Sequence, residues 1–107
     1  MSNGKVGSAE LIEAFLLDTT LILVGYGKNS TTGWKNWFEP IKMPNHYVFK
    51  QEAPSGPAGN MVVPFLAVNA FTSQSTKAVK VLELSLSDGK ETEIEVPVRP
   101  IVANSIP

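Results

Sequence analysis

At 107 residues the chain has the size of one domain and no room for two independent cores. With 43% hydrophobic and 18% charged residues it is too apolar to stay disordered, and the absence of cysteine excludes disulfides, thiolate metal sites and cysteine nucleophiles. A net charge of −1 argues against a generic nucleic-acid or membrane-surface binder.

The opening stretch from Met1 to Gly7 lacks the basic-then-apolar run of a secretory signal. The apolar run from Leu11 to Val24 is broken by Glu13, Asp18, Thr19 and Thr20 and is too short to cross a bilayer. We therefore expect a soluble, cytoplasmic chain with no membrane association. Ser8 is a candidate N-cap, Glu10 suits the positive end of a helix dipole, and Leu11, Ile12, Phe15 and Leu16 recur at helical spacing. This pattern predicts a short helix from Ala9 to Leu17. Thr20 to Val24 is continuous and rich in apolar and β-branched residues, and reads as a strand buried on both faces that ends at Gly25-Tyr26-Gly27.

Lys28 to Pro44 is irregular and reads as a long loop with one helical turn around Trp34 to Phe38. His46 to Gln51 alternates as a strand, with Tyr47 and Phe49 on one face and His46, Val48 and Lys50 on the other. Ala53 to Asn60 is dense in turn formers and must connect. Met61 to Phe71 is apolar on both faces, which suits a strand between two packed layers or one pressed against another subunit; Pro64 places its end at an edge or bulge.

The last segment predicts a hairpin. A three-residue loop, Ser87-Asp88-Gly89, with Gly89 in the left-handed conformation, pairs Leu84 with Thr92 and Leu82 with Ile94. That register turns Leu82, Leu84 and Leu86 inward with Thr92, Ile94 and Val96, and turns Glu83, Ser85, Glu91, Glu93 and Glu95 to water. Pro97 and Pro100 then suggest an edge strand. The expected fold is mainly β, a small antiparallel β-sandwich or partly open barrel with one short N-terminal helix, forming a single domain over residues 1–107.

The chemistry-bearing residues are sparse. Gly25-Tyr26-Gly27-Lys28-Asn29-Ser30 follows a strand, but its glycine spacing is not that of a phosphate-binding loop, and Gly33 interrupts any following helix. His46 is the only histidine, so no histidine pair can hold a metal. Glu91, Glu93 and Glu95 lie on one exposed strand face rather than in a cleft, and no Gly-x-Ser-x-Gly elbow is present. The expectation is no catalytic residue, no cofactor and no metal site.

One segment stands out for binding. Gly33 to Lys50 interleaves aromatic and basic residues, and Trp34, Lys35, Trp37, His46 and Tyr47 are the candidate contacts for a ligand or partner. Trp37, next to Phe38, has the stronger claim to a core position. Charge is also uneven: six lysines against two acids from Thr19 to Leu82, and five acids against two bases from Glu83 to Pro107. The sequence reads as a non-catalytic protein-interaction or self-assembly module, binding a protein partner or further copies of itself. The alternative is a small ligand-binding domain for a sugar, a nucleotide or single-stranded nucleic acid, using the Trp34/Trp37 loop.

Overall fold

Alternating side chains, not helical ones, organise the whole chain. The computed structural model describes residues 4–56, 61–73 and 77–101. It contains eight strands: β1 (Lys5–Val6), β2 (Leu11–Leu17), β3 (Thr20–Asn29), β4 (Lys35–Pro40), β5 (His46–Glu52), β6 (Val63–Thr72), β7 (Ala78–Leu84) and β8 (Glu91–Pro100). They form one sheet, in the order β1-β5-β7-β8-β2-β3-β6 with β4 on the other side of β5, and the sheet curls into a half-barrel. No helix forms among the described residues, so none is long and apolar enough to cross a membrane.

The predicted helix from Ala9 to Leu17 is therefore wrong. Leu11, Ile12, Phe15 and Leu16 fit a helical stripe, but Ile12, Ala14 and Leu16 also alternate with Leu11, Glu13, Phe15 and Leu17. Pairing decides between the two patterns. β2 pairs along its full length with β3, from Leu11 opposite Tyr26 to Leu17 opposite Thr20, leaving Asp18-Thr19 as a two-residue turn. Asp18 takes a left-handed φ of 57°, which a short polar side chain tolerates. Ser8 caps no helix: its backbone N–H donates to Gln51 Oε1 at 3.0 Å and its hydroxyl to Leu84 O at 2.9 Å.

β3 does not stop at its glycines but runs through them to Asn29. Its inward positions are Leu21, Leu23, Gly25, Gly27 and Asn29, all buried. The glycines make space for aromatic rings. A Cβ on Gly25 would lie 3.0 Å from Phe38 Cζ, and one on Gly27 would lie 2.7 Å from Phe65 Cζ. Phe38, Phe49 and Phe65 fill that space, with ring centroids 5.0 Å apart for Phe38–Phe49 and 5.9 Å for Phe49–Phe65. Leu21, Leu23, Val79, Val81 and Val96 complete the core toward the other end.

The segment expected to be a loop with a helical turn contains β4, which pairs with β5 so that Phe38 lies opposite Phe49 and Trp37 opposite Lys50. β4 comes over against β6 without a backbone ladder between them. Across that gap the Phe38 N–H donates to Asn69 Oδ1 at 2.8 Å. The strand expected from His46 to Gln51 forms as β5, with Tyr47 and Phe49 inward as predicted.

The C-terminal hairpin forms in a different register from the one expected. Leu84 lies opposite Glu91 and Leu82 opposite Glu93, while Val81 faces Ile94 and Val79 faces Val96. Ser85 N–H donates to Lys90 O, so the loop is the four residues Leu86 to Gly89, with Gly89 at φ 70° as predicted. Cross-strand pairs of β-branched residues inside the core outweigh the leucine pattern. Val79 and Val81 are fully buried, Leu82 and Leu84 are half-buried on the outer face, and Leu86 is exposed in the loop. The same step turns Glu83 inward rather than to water. Burial raises its carboxyl above the usual value, a hydrogen bond from the Ala9 backbone works the other way, and Oε1 finds no hydrogen-bond partner among the described residues.

Pro97 and Pro100 do not place β8 at an edge. Glu91 to Pro97 pairs antiparallel with β7, and Val98 to Pro100 then pairs parallel with β2. The strand joins the two halves of the sheet by changing partners near Pro97, where a missing N–H costs the ladder least.

Candidate functional site

Curling the sheet inward leaves three strands with an outer face to account for. On β2, β3 and β6 the outward side chains fall into register across the sheet. Leu11, Tyr26 and Leu66 form one row, Glu13, Val24 and Val68 the next, and Phe15, Ile22 and Ala70 the third. No layer covers these rows among the described residues. Leu66 is 67% exposed, Val68 54%, Leu11 52% and Tyr26 42%. Solitary exposed apolar residues are ordinary, whereas these are contiguous over three strands.

Charge is confined to the borders and one interior position. Glu13, within the second row, pairs with Arg99 of β8 at 3.3 Å. Lys28 stands at one end of β3, opposite Pro64, and Asp18 sits in the turn at the other end. The sequence marks Met61 to Phe71 as apolar on both faces without choosing the face left open. Leu11, Phe15 and Tyr26 are not expected on this face, because the helical spacing puts the first two on a helix and the glycines put the third in a turn. The signal was the period-two alternation that Leu11–Leu17 carries beside its helical one.

The five residues singled out in the aromatic segment do not share a surface. Trp34 is half-buried before β4, its indole N–H donating to Thr31 Oγ1 at 3.0 Å. It lines a small cleft of about 270 Å³ at the polar end of the half-barrel, together with Ser8, Lys28, Asn29 and Gln51. Behind the cleft, Asn36 Oδ1 accepts from Gln51 at 2.7 Å, and Asn36 donates to Asn29 at 3.0 Å. Lys35 is exposed, 4.0 Å from Glu52. Trp37 stands on the outer face of β4, donates to Glu39 at 2.8 Å and lies close over Gly4.

His46 and Tyr47 belong to the opposite end. His46 Nδ1 lies 2.8 Å from Pro44 O and Nε2 3.7 Å from Glu93. Tyr47 is buried, its ring 4.9 Å from that of Phe71, and burial raises its phenol pKa. The shallow groove they border also has Ile41, Met43 and Thr72 along it.

No family model, curated protein or solved structure matches this chain. The functional reading therefore rests on the geometry alone.

Proposed function

We propose that this chain is a non-catalytic interaction and self-assembly module that docks through the outer face of β2, β3 and β6. The observation that carries this reading is the registered apolar patch itself, three strands wide, with Leu66 and Val68 more than half exposed. Covering such a surface removes apolar area from water at roughly 25 cal/mol per Å², and that is the driving force for most protein association. Sedimentation velocity over a dilution series tests it. Wild-type chain is expected to associate with rising concentration, and Leu66→Lys is expected to abolish the association with little change in melting temperature. A wild type that remains monomeric throughout defeats the self-assembly reading.

A second reading has one observation in its favour. The cleft beside Trp34 sets the apolar Trp34 and Leu86 among Ser8, Glu10, Lys28, Asn29 and Gln51, a mixture of apolar wall and polar groups that suits a small ligand such as a sugar or nucleotide. Its amides already satisfy one another, which places it behind the apolar face. A change in tryptophan fluorescence on adding monosaccharides or nucleotides, lost in Trp34→Ala and kept in Trp37→Ala, would bring it forward.

A further inference from the structure

The cleft beside Trp34 offers hydrogen bonds of both kinds and carries no net charge. Resting on the second reading above, we infer that its ligand is a single neutral sugar ring, laid against Trp34 and hydrogen-bonded by Asn29, Gln51 and Ser8.

Three strands deliver the amides. The alternation that turns Gly27, Phe38 and Phe49 inward carries Asn29, Asn36 and Gln51 to the same inner side, two residues nearer the cleft on each strand. The core therefore passes from aromatic to amide at this end. Asn36 Oδ1 accepts from Gln51 Nε2 at 2.7 Å and from Asn29 Nδ2 at 3.4 Å, and Asn36 Nδ2 donates to Asn29 Oδ1 at 3.0 Å. Gln51 Oε1 accepts the Ser8 N–H at 3.0 Å, and the Ser8 hydroxyl donates to Leu84 O at 2.9 Å. These bonds hold each polar side chain in one orientation before any ligand arrives, which lowers the ordering cost of binding.

Each amide has a partner, yet none is used up. A primary amide carries two N–H donors and an oxygen with two lone pairs. Among the described residues, Gln51 and Asn29 each keep one N–H, and the oxygens of Gln51, Asn29 and Ser8 each keep a lone pair. A sugar hydroxyl both donates and accepts, so it matches this mixed set. A phosphate only accepts, and its negative charge calls for cations. Lys28 is the one cation along the cleft, it has the exposed outward parity of β3, and Glu10 offsets it.

The apolar wall and the size agree with one ring. Trp34 gives its indole N–H to Thr31 Oγ1, so it meets a ligand through ring carbons. The negative face of an aromatic ring attracts the weakly positive C–H bonds on the apolar side of a sugar. Leu86, 65% exposed, extends the wall. At about 270 Å³ the cleft lies just below the roughly 300–1,000 Å³ of sites for drug-sized ligands. That is room for one ring, not for a base, a ribose and a phosphate together.

Amide NMR on the full wild-type chain tests this. The probes are glucose, galactose, mannose and N-acetylglucosamine, their methyl glycosides, and AMP and UMP. At least one sugar should shift the amides of Ser8, Asn29, Trp34 and Gln51, with a Kd on the order of 1 mM for so small a ligand in an open cleft. That affinity should not change between low salt and about 1 M, because the ligand is neutral. Trp34→Ala should weaken binding on the order of tenfold, and Trp37→Ala, on the outer face of β4, should leave it unchanged. Should Trp34→Ala not fold, the wild-type shift map stands in its place. Methyl glycosides that bind as well as the free sugars assign the site to the end of a glycan, and free sugars that bind alone assign it to a soluble sugar; either outcome supports the inference. Nucleotides that bind here with salt-sensitive affinity, where no sugar does, overturn the sugar class and leave the ligand-binding reading standing. Sugar-induced shifts confined to other surfaces, or full binding in Trp34→Ala, overturn the assignment to this cleft. No shift with any of these compounds overturns both.

Discussion

The Asn69 side chain takes the place of a missing strand pairing: its Oδ1 accepts the Phe38 N–H at 2.8 Å across the gap between β6 and β4. A buried backbone donator left without an acceptor costs about 1–3 kcal/mol. Asn69→Ala should therefore destabilise the fold by about that amount. Hydrogen exchange at the Phe38 amide should accelerate beyond the change in global stability. An unaltered Phe38 exchange rate would show that the bond is not what holds the gap.

Gly27 is expected to be intolerant of any side chain. Its missing Cβ would sit 2.7 Å from Phe65 Cζ. Gly27→Ala should cost about 1–3 kcal/mol through overpacking. Phe65→Leu in the same chain should recover part of that loss, because the two changes share one space and are not additive. Denaturant unfolding of the two single variants and the double variant gives the coupling directly.

Glu83 makes a pH prediction with a definite sign. Burial raises its folded carboxyl above the ordinary 4.5, so between that value and its folded pKa the native state holds more protons than the unfolded one. Stability contributed by this group is present in full below about 4.5 and is lost as pH rises through the folded value. Glu83→Gln keeps an acceptor for the Ala9 backbone and removes the charge. Its stability relative to wild type should grow as the pH is raised from 4 toward neutrality. Chemical denaturation of both chains across that range checks it, and a constant difference would remove Glu83 as the cause.

The β7–β8 register ranks three truncations. Val81 is fully buried, so Val81→Ala should cost about 2 kcal/mol through lost contacts and a small cavity. Leu84→Ala, on the half-buried outer face, should cost less, and Leu86→Ala, in an exposed loop, close to nothing. A Leu86→Ala variant as damaged as Val81→Ala would restore the register read from the leucines.

Part of this protein was decided by the sequence alone. Apolar runs in Thr20–Val24 and Met61–Phe71 and alternation in His46–Gln51 specify strands without reference to partners, and the alternation puts Tyr47 and Phe49 in the core, where they lie. The two apolar runs read as buried on both faces; the fold buries Leu21, Leu23 and Ala67 and leaves Val24 half-buried and Val68 exposed. A turn at Asp88-Gly89 follows equally locally, from glycine's access to positive φ. Tertiary structure decided the rest, because the deciding contacts were distant in sequence. Leu11–Leu17 fits helix and strand alike, and only the hydrogen bonds offered by β3 choose between them. The leucines and the valines of β7 are one residue out of step, so either set could face inward; Ile94 and Val96 select the valines and carry Glu83 in with them. The outer apolar face was visible only in part for the same reason. Leu66 and Val68 announce an apolar strand face, but Leu11, Phe15 and Tyr26 join them only once three strands from separate parts of the chain align in one register.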